Sequence, residues 1–147
     1  MSDMPADVVR KRGKKRIWLM PQELEVWYVI PALRRELAHA MIQRGRSQKL
    51  IARILGVTEP AITQYKIERS SRSRGDQIDI PAELQPEIEK AADKILEAWD
   101  NRGDHENVYE VMTCEMNRLI RILRETGAMC IFHREHCKDV GEDCRAC

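Results

Sequence analysis

Ser47 to Arg69 reads SQKLIARILGVTEPAITQYKIER, and the fold of the chain turns on how that stretch is read. Ile51, Ile54, Leu55, Val57, Ile62 and Tyr65 recur at helical spacing, which predicts two short helices sharing an apolar contact. Counted from Gln48, Ala52 is fifth and small enough for two helices to approach closely. Gly56 is ninth, where the chain turns and a left-handed backbone costs least without a Cβ. Ser47 is suited to cap the first helix, and Thr58, followed by Glu59 and Pro60, to start the second. The remaining positions of the second helix are polar and face outward. Such a pattern is that of a helix-turn-helix whose second helix enters the DNA major groove.

In this placement Thr58, Glu59, Pro60, Thr63 and Gln64 lie where a recognition helix meets base edges. A Gln64 amide matches adenine, a Glu59 carboxylate accepts from cytosine, and Thr63 suits a base or a thymine methyl. Gln48, Lys49, Arg53, Lys66 and Arg69 are suited to phosphates, which fix register rather than sequence. The competing reading is a helical hairpin that carries the pattern by accident.

Composition agrees with a helical reading. With 147 residues, 43% apolar and 5% aromatic, the chain has enough to bury one core, and its only periodicity is helical, so an all-α fold is expected. The net charge of +1 conceals a division along the chain. Residues 1–75 carry 16 basic and 7 acidic side chains, whereas residues 76–147 carry 9 and 17. The basic half suits a phosphate backbone, and the acidic half is expected to point away from it. Residues 1–16, ending in Arg10, Lys11, Arg12, Lys14, Lys15 and Arg16, read equally as a solvated tail or as a flexible arm on DNA. The apolar run from Ile17 to Met20 stops at Pro21, so neither a secretory signal nor a membrane span is expected, and a cytoplasmic location follows.

Residues 17–69 are expected to form the DNA-binding unit. Glu23 to Ile30, ELEVWYVI, is aromatic and β-branched and fits either an extended stretch or helical turns. Pro31 suits the first position of a helix whose stripe, Leu33, Leu37, Ala40 and Met41, ends near Gly45. Trp27 and Tyr28 are assigned to packing, since duplex readers need no aromatic platform. The polar, Gly-containing residues 70–79 read as a linker. Residues 80–127 then form a helical hairpin, its first helix opened by Pro81 and faced by Leu84, Ile88, Ala91, Ala92, Ile95, Leu96 and Trp99. Its second is capped by Asp104, faced by Val108, Val111, Met112, Met116, Leu119, Ile120 and Leu123, and ended at Gly127. One apolar face of such a hairpin is covered either by a second copy, giving a homodimer on a two-fold operator, or by the DNA-binding unit.

Residues 128–147 include CIFHREHCKDVGEDCRAC, with Cys130, Cys137, Cys144 and Cys147 beside His133 and His136. Little apolar surface is available there, so a metal is expected to organise the tail. Four thiolates suit a [4Fe-4S] iron-sulfur cluster, with Cys114 a candidate to replace one of them. Zinc on Cys130, His133, Cys144 and Cys147 is the alternative, and free or redox-paired thiols are the third. Cys114 alone, beside Val111 and Met112, also reads as a buried helix residue.

Residues 31–69 resemble the Cro/CI-type (XRE) helix-turn-helix. EVWYVIPALRREL followed by SQKLIARILGVTEPAITQY looks like a largely archaeal family of predicted transcriptional regulators. The resemblance implies a lambda-repressor-like bundle, operator DNA bound by dimers and, in some members, a cysteine-bearing C-terminal extension. Gly127 to His133 resembles a Gly-x-Leu-Cys-x-x-His element of that family, while Asn117 stands where a second cysteine after Cys114 is expected. KIERSSRSRG also departs from the family after the recognition helix. Three functions are thus expected in order: a regulator sensing redox state or iron, a regulator with structural zinc, and a redox or electron-transfer protein. No phosphate loop, nucleophile elbow or acid-base pair suggests an enzyme.

Overall fold

The computed structural model describes residues 19–67, 74–102, 105–137, 141 and 144. The basic arm 1–16, Arg69, the Asp104 cap and Cys147 lie outside the described residues. Among the described residues every regular element is helical.

Helix α1, Pro21–Leu24, starts with proline at a position that needs no N–H, and the Met20 N–H donates to the Glu23 carboxylate at 2.9 Å. The chain does not restart at Pro31. It continues through a π turn, Glu25–Val29, into α2, Ile30–Gln43. A proline inside a helix has no N–H to give, and its ring strikes the carbonyl four residues back, here that of Trp27. The turn is therefore widened, and the Ile30 N–H donates to the Glu25 carbonyl five residues back. This makes Glu23 to Ile30 helical despite its β-rich composition, with Leu24 and Val29 fully buried.

Helix α2 buries Ala32, Leu33, Leu37, Ala38, Ala40 and Met41 and ends before Gly45, whose φ is 78°. Helix α3, Gln48–Leu55, is capped by the Ser47 hydroxyl, which accepts from the Leu50 N–H at 3.2 Å. Gly56 turns the chain with φ 70°, and Thr58 caps α4, Glu59–Lys66, by accepting from the Ala61 N–H at 3.2 Å. Ile51, Ala52, Ile54, Leu55 and Ile62 close the contact between the two helices.

The segment expected as a linker is packed where it is described. Arg74–Asp76 forms a 3-10 turn against α2, Ile78 is buried, and Gly75 lies so close that a Cβ there would sit 3.0 Å from the Pro31 carbonyl carbon. Asp76 forms an ion pair with Arg35 at 2.6 Å, the two side chains being 7% and 9% exposed. A second 3-10 turn, Ala82–Leu84, leads into α5, Gln85–Arg102, so Pro81 precedes that turn rather than opening α5.

Helices α5 and α6, His105–Glu125, form the expected hairpin. Helix α5 packs against α2, and one hydrophobic core runs through both halves, while Val111, Met112 and Met116 on α6 are only partly buried. Ile88, Ile95, Leu119 and Leu123 are essentially removed from water. At about 2 kcal/mol for each such side chain, folding the hairpin alone would forfeit much of its stabilisation.

The tail was expected to depend on metal, but its first part is a core helix. After Gly127, with φ 84°, α7 spans Ala128–His136 and buries Ala128, Met129 and Phe132. It packs on α1, and the rings of His136 and of Tyr28 in the π turn lie 4.7 Å apart. Arg124, at the end of α6, donates twice to Glu25, at 2.7 and 2.6 Å.

Candidate nucleic-acid interface

Helices α3 and α4 bury one side each and present the other to solvent. Thr58, Glu59, Pro60, Thr63, Gln64 and Lys66 are all exposed, as is Lys49 on α3. Gln48 ties the two helices together across this face. Its Nε2 donates to Thr63 Oγ1 at 2.9 Å, and its Oε1 accepts from Lys66 Nζ at 3.2 Å. Thr63 in turn donates to the Glu59 carbonyl at 3.4 Å. Three of the expected contacts are thus held in one hydrogen-bonded row, which fixes their spacing before any ligand arrives.

The C-terminal end of α4 is anchored by residues the sequence reading did not single out. His39 Nε2 donates to the Tyr65 carbonyl at 2.5 Å, and Arg35 Nη2 donates to the Ile67 carbonyl at 3.3 Å. Carbonyls at a helix end lack intrahelical partners and carry partial negative charge, so donors from α2 satisfy them. The available signal was Arg35 and His39 at i and i+4 within an otherwise apolar stripe. Burial, opposed by the nearby Arg34 and Arg35 charges, raises the Tyr65 phenol pKa above its usual value.

The acidic half does not simply turn away from the basic one. Arg44, at the end of α2, pairs with Asp93 at 2.6 Å and Glu89 at 2.8 Å on α5, and Arg46 pairs with Asp100 at 2.5 Å. Repulsion from DNA gave no reason for these carboxylates to avoid arginines within reach, and contact attraction decided their positions. The Asp93 and Asp100 carboxyls are held below the ordinary carboxylate range, first by these arginine hydrogen bonds. Arg53, assigned from sequence to phosphate, places its guanidinium 5.5 Å from the Trp99 ring centre.

Four of the cysteines fall among the described residues. Cys114 is exposed on α6, contrary to its reading as a buried residue; Cys130 and Cys144 are half-buried, and Cys137 is buried at the end of α7. Cys114 lies about 18 Å along α6 from the turn at Gly127, whereas Cys130 follows that turn by less than one helical turn. The structure therefore does not bring these two thiols together. Among the described residues no three His, Cys, Asp or Glu side chains are grouped to hold a metal. His133 is nevertheless unusual. Its Nε2 donates to the Leu19 carbonyl at 2.6 Å, and its buried Nδ1 has no partner among the described residues. No described helix is long and apolar enough to cross a membrane.

Compared with known protein families, curated proteins and solved structures, the chain matches none.

Proposed function

We propose that the chain is a sequence-specific DNA-binding transcription regulator built on a lambda-repressor-like (XRE) helix-turn-helix. The observation that carries this reading is the α3–Gly56–α4 unit, capped at both helix starts, with an outward row of polar side chains. Placed in a major groove, α4 presents Gln64, Thr63 and Glu59 to base edges, while Lys49, Lys66 and Gln48 hold phosphates. An eight-residue recognition helix reaches few base pairs, so a homodimer on two half-sites about 34 Å apart supplies the specificity. Operator selection followed by titration at several salt concentrations tests the assignment. Gln64→Ala is expected to cost about 1–3 kcal/mol at one base position, whereas Lys66→Ala weakens all sequences alike and lowers the salt slope by about one. Identical binding by both variants and the parent excludes α4 as the reading helix.

For the tail we propose a metal held by Cys130, Cys137, Cys144 and Cys147 or, in the zinc form, with His133 among the ligands. His133 favours the zinc form, because metal-bound histidines donate their other ring N–H to a carbonyl or carboxylate, as Nε2 does to Leu19 here. Zinc supplies a crosslink, and an iron-sulfur cluster supplies redox or iron sensitivity. Cys114 is set aside on its position. Iron, sulfide and zinc analysis of anaerobically purified protein, with visible absorption, separates the two forms; absence of all three removes the metal.

A further inference from the structure

We infer that Arg46 is a further DNA phosphate contact, held in reserve in the free protein by Asp100 as Arg53 is by Trp99. The inference rests on the DNA-binding reading of α3 and α4. Arg46 immediately precedes the Ser47 cap, and two residues on, within about 7 Å of chain, Gln48 is bonded to Thr63 and Lys66 on the outward face of α3 and α4. Its guanidinium is engaged by both Asp100 oxygens, Nη1 to Oδ1 at 2.7 Å and Nη2 to Oδ2 at 2.5 Å. One helical turn and a half further along α3, Arg53 lies over the ring of Trp99, the residue next to Asp100. The last turns of α5 thus occupy two cations flanking the α3 face, one with a carboxylate and one with an aromatic ring.

A carboxylate paired through two parallel bonds presents to arginine much the same geometry as a phosphate. The pair is also accessible, its side chains being 27% and 48% exposed, so exchange of Asp100 for a phosphate needs side-chain rotation and no unfolding. Arg44 differs. It pairs with two carboxylates and donates to the Ala40 and Glu89 carbonyls, which commits it to joining α2 and α5. Bound DNA therefore competes with the end of α5 for Arg46, and affinity is set below what the basic side chains alone would give.

The test compares Asp100→Asn with Glu83→Gln, which makes the same charge change in the 3-10 turn before α5, about 25 Å away at the other end of that helix. Binding to a mixed-sequence duplex of about 30 base pairs is titrated from low to moderate salt, and thermal unfolding confirms that each variant folds. Asp100→Asn is expected to bind about 3–10-fold more tightly at low salt and to steepen the salt slope by about 0.9, one added phosphate contact. Adding Arg46→Gln to Asp100→Asn is expected to return both quantities to those of the parent. If Asp100→Asn behaves like Glu83→Gln, or keeps its gain without Arg46, the inference is overturned while the DNA reading stands. If neither the parent nor Asp100→Asn shows salt-dependent binding, the DNA reading itself fails and takes the inference with it.

Discussion

Replacing Asp76 with Ala removes the partner of a cation that cannot easily be rehydrated. Arg35 is 9% exposed at its side chain, and after the substitution it would keep its bond to the Ile67 carbonyl at 3.3 Å. Breaking a buried pair by deleting one member costs about 3–5 kcal/mol, chiefly because the remaining charge stays desolvated. The residual exposure and the length of the arginine place the expected loss near the lower end, about 3 kcal/mol. For a chain of this size that corresponds to a fall in Tm of roughly 6–12 °C. The control replaces both members, Arg35→Met with Asp76→Leu, leaving no charge behind. That variant is expected to lie within about 1 kcal/mol of the parent. Urea unfolding followed by circular dichroism supplies the midpoint and the slope, and the slope must remain constant for the comparison to hold. On the proposed function, the double variant should still bind DNA more weakly, because the donor to Ile67 at the end of α4 is gone. The reasoning fails if Asp76→Ala costs less than about 1 kcal/mol, or if the double variant is as unstable as the single one.

Three further substitutions or conditions probe other parts of the fold. Gly56→Ala places a Cβ in open space but at φ 70°, so a purely conformational loss of about 1 kcal/mol is expected in thermal unfolding, with Gly56→Asn losing less. Gly75→Ala meets backbone and side-chain atoms of Pro31 and Ala32 at 3.0–3.2 Å and is expected to lose about 1–3 kcal/mol, whereas Gly141→Ala, with nothing within 4 Å, is expected to be neutral. Arginine hydrogen bonds lower the pKa values of Glu87, Asp93 and Asp100, so the stability they add is present above the unfolded carboxylate range, about pH 4, and is lost as pH falls through their folded values. Asp93 and Asp100 are exposed and Glu87 is half-buried, so the effect is small, but a urea midpoint that rose as pH fell from 5 to 3 would contradict its sign.

The sequence was most legible where local chemistry decides local structure. Ser47, Gly56, Thr58 and Gly127 fixed caps and turns, and the stripes on α2, α5 and α6 gave the buried faces. Reading became poor where a distant partner decides. Residues 74–79 look like a linker by composition, yet Gly75 needs its missing Cβ to approach Pro31, and Asp76 needs Arg35, 41 residues earlier. Pro31 signals a helix start, but a π turn absorbs it and lets the helix run through. Cys130 on α7 has the spacing of a tail ligand, whereas Met129 and Phe132 beside it have that of a packed helix, which the structure forms. For the candidate site, the outward residues of α4 were readable from periodicity, whereas the row through Gln48 and the anchors Arg35 and His39 required three-dimensional placement.

The anchors also determine where the molecule can be divided. Helix α4 has eight residues, too few to be stable in water on its own propensity. It persists because Ile62 is buried and because its terminal carbonyls receive donors from Arg35 and His39. Arg35 is held in turn by Asp76, which lies beyond the end of α4, and α2 is covered by α5 from the acidic half. A fragment ending near residue 69 would keep every residue of the two-helix pattern yet lose Asp76, Ile78 and the cover over α2. The change from basic to acidic composition is therefore a division of labour at the surface. It is not a boundary between folding units, and the contact face is shaped by residues on both sides of it.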